Sequence, residues 1–137
     1  MEIEVNYRVI YGDTDCGNVM YYGNYLRLFE IGRTELIRKI GINYKDIEKN
    51  YGIILPVVEV FAKYKASAKY DDILNIKTRL KELKPYKIVF EYKIYKNSIL
   101  LTEGYTVHVP INKEGKIVKL PKELIEKLNQ LLSNKKE

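Results

Sequence analysis

One stretch of helical period set among long alternating segments most constrains the fold. From Tyr22 the residues Tyr22, Tyr25, Leu26, Phe29, Arg33, Leu36, Ile37 and Ile40 recur at steps of three and four, an apolar stripe broken only at Arg33. Gly41 stands where a left-handed C-terminal cap belongs. A shorter helix is predicted from an Asn43 cap to Asn50, with Gly52 beyond its end.

Elsewhere the period is two. Ile3, Val5, Tyr7 and Val9 alternate with Glu2, Glu4, Asn6 and Arg8. Val58, Val60, Ala62 and Tyr64 do the same, as do Leu74 to Leu80 and Ile88 to Ile94. Asn97-Ser98 reads as a tight hairpin turn into a strand from Ile99 to Pro110. A turn at Asn112 to Gly115 leads to a short strand near Ile117, and Pro121 opens a terminal helix carrying Leu124, Ile125, Leu128 and Leu131. The expectation is one α+β domain over residues 1–137, with a curled antiparallel sheet around one long helix and a loose tail at 133–137. Long strands with a wet outer face leave an edge for a second copy, so a dimer is expected.

Composition narrows the function classes. Hydrophobic residues at 46% and charged residues at 31% can bury a core. No apolar run approaches the roughly 18 residues of a membrane helix, and Met1-Glu2-Ile3-Glu4 has none of the character of a signal peptide. A cytoplasmic protein with no membrane partner is expected, and a single cysteine, Cys16, suits a reducing compartment. The net charge of +6 is spread among glutamates along every segment, so nucleic acid is not expected as a partner. Heavy use of Lys, Glu, Ile and Tyr resembles thermophile composition.

The chemistry is restricted by one histidine. His108 and Cys16 are too few for a zinc site, so no metal is expected. His108 alternates with Thr106 and Thr102 and reads as a hydrogen-bonded sheet residue, while Cys16 reads as a small loop residue rather than a nucleophile. The unusual segment is Tyr11-Gly-Asp-Thr-Asp-Cys-Gly-Asn18, where Asp13 and Asp15 sit among glycines between a strand and the long helix. A calcium loop fails, because its sixth-position Gly and twelfth-position Glu are missing. Turn hydrogen bonds alone are one reading. The other uses the first amides of the helix, around Tyr21 to Asn24, which carry the positive end of its dipole. A carbonyl oxygen placed there is polarised, and a carboxylate just before it can attack the carbon or activate water. This minimal acyl-transfer site suits a thioester, whose thiolate leaves without a strong general acid.

Tyr11-Gly-Asp-Thr-Asp-Cys-Gly-Asn-Val-Met-Tyr-Tyr-Gly-Asn-Tyr25, followed by Phe29-Glu30-Ile-Gly-Arg33-Thr-Glu35, resembles the signature of the 4-hydroxybenzoyl-CoA thioesterase family. The resemblance continues through Tyr64-Lys-Ala-Ser-Ala-Lys-Tyr-Asp-Asp72 and covers nearly the whole chain. It implies a hot-dog fold, an acyl-CoA or aryl-CoA substrate, and no cofactor beyond the CoA of that substrate. It implies Asp15 as nucleophile or general base, and the backbone N–H of Tyr22 as oxyanion donor. Tyr11, Asp13, Gly17 and Tyr25 are expected around the substrate, with Asp13 also fixing the loop. Lys65, Lys69, Lys84 and Lys87 are candidates to meet CoA phosphates. Glu30 and Arg33 are expected to form an ion pair one turn apart. Ser67 stands where the family usually has Pro, Lys87 where a small hydroxyl residue is common, and Tyr22 where several relatives carry His. The family site lies between subunits, so a homodimer or a homotetramer built as a dimer of dimers is implied. Acyl carrier protein could replace CoA as thioester carrier. A non-hydrolytic acyl-CoA-binding protein and a dehydratase remain as alternatives.

Overall fold

Alternation of Ile3, Val5 and Tyr7 with acidic and polar neighbours yields strand β1 (Glu2–Arg8), the first element of a computed structural model that describes residues 1–132. The expected tail at 133–137 lies outside the described residues. Helices α1 (Gly23–Arg38) and α2 (Tyr44–Tyr51) follow, then strands β2 (Val57–Tyr64), β3 (Ile73–Lys84), β4 (Lys87–Lys96) and β5 (Ile99–His108), then helix α3 (Lys122–Leu128). The strands form one antiparallel sheet in the order β1-β3-β4-β5-β2, with α1 laid across its β1, β3 and β4 portion. A register shift between Leu80 and Glu82 adds twist to the β3–β4 pair. This is the hot-dog architecture implied by the resemblance. No helix among the described residues is long and apolar enough to cross a membrane.

Local signals act where the sequence places them. Gly41 and Gly52 adopt left-handed φ values of 82° and 68°, and the Asn43 side chain accepts the Asp46 amide at 2.9 Å. Asn97 and Ser98 both have positive φ, the geometry that a two-residue hairpin turn requires. The strand expected near Ile117 is only an isolated bridge to Ile111, and the last long strand ends at His108 rather than Pro110.

The buried face of α1 is rotated from the predicted stripe. Tyr25, Leu28, Phe29, Gly32, Leu36 and Ile37 are buried, whereas Leu26 is 39% exposed. Leu26 points away because α1 covers β1, β3 and β4 and leaves β2 uncovered. The Phe29 ring stacks on Tyr92 with centroids 4.2 Å apart, and burial of such a ring stabilises the fold by about 2–3 kcal/mol. Gly32 lets the helix approach β3: a Cβ there would overlap the Thr78 hydroxyl and come within 3.2 Å of Ile76 Cγ2.

A polar chain crosses this core. Arg33 Nη1 donates to the Tyr92 hydroxyl at 3.4 Å, Tyr92 meets Thr106 at 2.6 Å, Thr106 meets His108 Nε2 at 2.9 Å, and His108 Nδ1 meets the Leu55 carbonyl at 2.9 Å. The guanidinium donates at one end and the carbonyl accepts at the other; with His108 neutral and protonated on Nδ1, every bond runs from Arg33 towards Leu55. The expected ion pair between Glu30 and Arg33 does not form, because Arg33 turns inward to Tyr92 while Glu30 stays exposed.

Two outcomes follow from this packing. Gly32→Ala gains about 1 kcal/mol of helix propensity, but overpacking against Thr78 costs about 1–3 kcal/mol. Thermal unfolding should show a melting temperature several degrees lower; an unchanged or higher value contradicts the close approach. Burial, with repulsion from Arg33, lowers the His108 pKa from 6.5 to about 4, despite the Leu55 carbonyl favouring the charged ring. The unfolded chain then binds a proton that the folded chain refuses. Stability should be whole above about pH 6.5 and fall by up to about 3 kcal/mol as the pH drops towards 4. Denaturant midpoints across that window measure the loss, and the single imidazole resonance of folded protein should not titrate above pH 5.

Candidate active site

Two aspartates two residues apart take opposite environments. Asp13 is 2% exposed. Its carboxylate accepts the Tyr7 hydroxyl at 2.7 Å and the Ile10 amide at 3.0 Å, and pairs with Arg27. Its backbone carbonyl accepts the Tyr21 amide at 2.9 Å and the Asn24 side-chain amide at 2.8 Å. One residue thus ties the end of β1, the loop and the start of α1 together.

Asp15 faces solvent at the tip of a small hairpin. Its amide donates to the Val19 carbonyl at 2.9 Å, its carbonyl accepts the Asn18 amide at 3.0 Å, and Asn18 takes a φ of 66° to close the turn. The bridges Thr14–Met20 and Val19–Lys69 and the bond from the Met20 amide to the Ala68 carbonyl fix this hairpin against the 64–72 segment. The only hydrogen bond to the Asp15 carboxylate among the described residues is the Gly17 amide at 2.8 Å, which leaves most of its lone pairs open.

Helix α1 begins immediately after. Asp13 consumes the Tyr21 amide, and the Asn24 and Tyr25 amides turn back to Tyr21 and Tyr22. The amides of Tyr22 and Gly23 donate to nothing among the described residues. They form the positive end of the dipole of a 16-residue helix. The Tyr22 ring lies out of the way, 4.8 Å from the Tyr64 ring, and Tyr64 donates to the Tyr22 carbonyl at 3.3 Å. An open carboxylate and unpaired amides can together receive a carbonyl, holding its oxygen while the carbon is attacked.

The other expected site residues divide. Tyr11 is exposed and stacks face to face on Tyr70 at 3.8 Å. Gly17 serves Asp15: a side chain there would press within 3.2 Å of the carboxylate. Asp13, expected around the substrate and as a fixing residue of the loop, has a buried carboxylate with three partners. Tyr25 is 1% exposed, with its hydroxyl accepting the Ala68 amide at 3.2 Å. Of the lysines, Lys65 pairs with Glu103 at 3.4 Å, while Lys84 and Lys87 share Glu82 at 3.6 and 3.3 Å. The Lys69 ammonium has no acidic partner among the described residues, and Lys69 itself belongs to the segment that pins the Asp15 hairpin, through its bridge to Val19. His108 cannot activate Cys16, because both ring nitrogens are occupied in the core while Cys16 is exposed. Arg27 and Tyr64 escaped sequence reasoning: only the folded chain brings Arg27 to Asp13, and Tyr64 reads in sequence as one more alternating strand residue.

Residues 9–128 match the thioesterase-like superfamily. An acyl-CoA thioesterase named YbgC from Haemophilus influenzae is 34% identical over 119 residues, covering 85% of this chain and 87% of that protein. Among solved structures, a DHNA-CoA thioesterase from Staphylococcus aureus superposes with a TM-score of 0.89 at 29% identity, covering 99% of this chain and 95% of its own. The 4-hydroxybenzoyl-CoA thioesterase of Pseudomonas sp. strain CBS-3, at 24% identity and a TM-score of 0.84 over 92% of this chain and 98% of its own, shares the fold. The aspartate loop, the long helix and strands β2 to β5 thus all lie within the matched span, and the chain belongs to the thioesterase-like superfamily.

Proposed function

We propose that this protein hydrolyses acyl-CoA thioesters to a free acid and the CoA thiol, with Asp15 as the catalytic carboxylate and the Tyr22 amide as oxyanion donor. The observation that carries this reading is the exposed Asp15 carboxylate, anchored by one amide, in the hairpin that feeds directly into a helix with unpaired leading amides. Names of relatives at about one-third identity point the same way.

The thioester oxygen sits at the Tyr22 amide, where charge developing on it meets the helix dipole. Two routes then balance. Asp15 adds to the carbon and expels the thiolate, and water cleaves the resulting anhydride; or Asp15 takes a proton from water as that water adds, and the thiolate leaves. Neither needs a strong general acid, which fits a loop without histidine. No cofactor enters; CoA arrives as part of the substrate. Lys69, whose ammonium makes no ion pair among the described residues, is the lysine freest to meet a phosphate, whereas Lys65 and Lys87 would first release Glu103 and Glu82. The thioester arm is common to CoA and acyl carrier protein, and parallel assays with both carriers separate them.

The site is completed by a second copy. Among the described residues β2 pairs only with β5, leaving one backbone edge open, and Val57, Val58, Val60 and Phe61 are exposed along it. Such an edge is covered most simply by its own two-fold mate, joining two five-stranded sheets into one.

Asp15→Asn should lower thiol release from acyl-CoA by at least about a thousandfold while circular dichroism and melting stay near wild type. Retained turnover removes Asp15 from the chemistry, and stoichiometric binding without release by the wild-type protein would make it a binding protein. Val60→Lys on the open edge should convert the assembly to monomers in sedimentation analysis, whether dimer or tetramer is the starting mass. An unchanged mass places the interface elsewhere.

A further inference from the structure

Tyr22, whose amide is read as the oxyanion donor, lies between two anchored stretches and is itself held at few points. Before it, the Met20 amide is held by the Ala68 carbonyl at 2.8 Å and the Tyr21 amide by the Asp13 carbonyl at 2.9 Å. After it, Tyr25 is buried and its hydroxyl accepts the Ala68 amide at 3.2 Å. Tyr22 is 60% exposed, and its side chain caps no amide of the helix. The Tyr25 amide, which meets the Tyr22 carbonyl at 3.2 Å, belongs to the same turn. Among the described residues, the one hydrogen bond between Tyr22 and another element comes from the Tyr64 hydroxyl, which donates to that carbonyl at 3.3 Å.

Tyr64 is built to hold this position. It ends β2, and its ring packs against two rings one helical turn apart, 4.8 Å from Tyr22 and 5.4 Å from Tyr25. Contacts with two rings restrict its rotation, so the hydroxyl meets the carbonyl at little further cost in entropy. A carbonyl only accepts, so the phenol must keep its proton. Burial, with the Tyr22 phenol nearby, raises the Tyr64 pKa above its ordinary value, and the donor persists at neutral and mildly alkaline pH.

The direction of this bond matters. Helix starts are ordinarily ordered by a side chain that accepts first-turn amides, which spends donors that a substrate oxygen could use. Tyr64 instead gives a proton to a carbonyl and spends no amide. With Asp13 holding the Tyr21 amide on one side and Tyr64 holding the Tyr22 carbonyl on the other, the Tyr22 N–H between them keeps one direction. A donor fixed in advance stabilises a developing oxyanion without reorganising during the reaction. We propose that Tyr64 is a positioning residue, whose hydroxyl holds the Tyr22 carbonyl and thereby aims the Tyr22 amide at the oxyanion. The inference rests on the thioesterase reading and adds to it a residue of β2.

Tyr64→Phe keeps the ring and removes the hydroxyl. At saturating acyl-CoA, kcat should fall by about three- to tenfold, the worth of one net hydrogen bond, while KM and the melting temperature stay at wild-type values. Nitrogen-15 relaxation should show the order parameter of the Tyr22 N–H falling from about 0.85, the value of rigid backbone, with Met20 and Tyr25 unchanged. An unchanged kcat, or a loss carried by KM or by a lower melting temperature, overturns the inference and leaves the hydrolytic reading intact. An order parameter at Tyr22 that is equal in the two proteins overturns it whatever the kinetics. Absence of thiol release from every acyl-CoA by the wild-type protein overturns the hydrolytic reading instead, and the order parameters then decide the positioning role on their own.

Discussion

The buried carboxylate of Asp13 is the contact from which the catalytic geometry descends. A desolvated charge is tolerated only when paired and saturated with hydrogen bonds, and Asp13 has Arg27, the Tyr7 hydroxyl and the Ile10 amide. Those partners come from β1, the loop and α1, so satisfying one charge fixes three elements at once. Its carbonyl does a second job by taking the Tyr21 amide, which makes Tyr22 the first free donor of the helix. Which amide is proposed to hold the oxyanion therefore depends on where the loop ends. Asp15, two residues on, lacks such partners and keeps its lone pairs for chemistry.

The position of α1 governs the rest. Gly32 draws the helix down onto β3, and Phe29 locks it over Tyr92. That placement covers one side of the sheet and leaves β2 bare, while the strand order leaves β2 at an open edge. The polar chain from Arg33 to Leu55 holds the segment leading into β2 through His108.

Features that depend on neighbours in sequence were legible; those that depend on neighbours in space were less so. The caps at Gly41, Asn43 and Gly52 and the turn at Asn97-Ser98 follow from local backbone chemistry, and each lies where its residue type requires. The loop and helix start of the candidate site were readable for the same reason. Leu26 misled because helical period reveals a stripe without revealing which side the sheet covers. Glu30 and Arg33 misled because one-turn spacing permits an ion pair, yet the Tyr92 hydroxyl competes for the guanidinium from a strand far along the chain. Tyr25 and Asp13 carry the chemistry of binding residues, and only the folded chain shows that both are buried, with the Asp13 carboxylate held by Tyr7, Ile10 and Arg27.

Exposure of Asp15 and of the Tyr22 amide in a single chain has an energetic consequence. In water, a helix dipole and one amide offer an oxyanion little, since solvent dipoles compete and screen; the same groups gain several-fold when solvent is excluded. A monomer would hold the right groups in the wrong medium. Covering the β2 edge with a second copy, as proposed, would bring apolar surface, including Leu26, Val58 and Val60, up to the proposed carbonyl site and lower the local dielectric. Assembly would then do more than stabilise the fold: it would supply the dry environment that the proposed pairing of a carboxylate with a backbone amide needs to open a thioester.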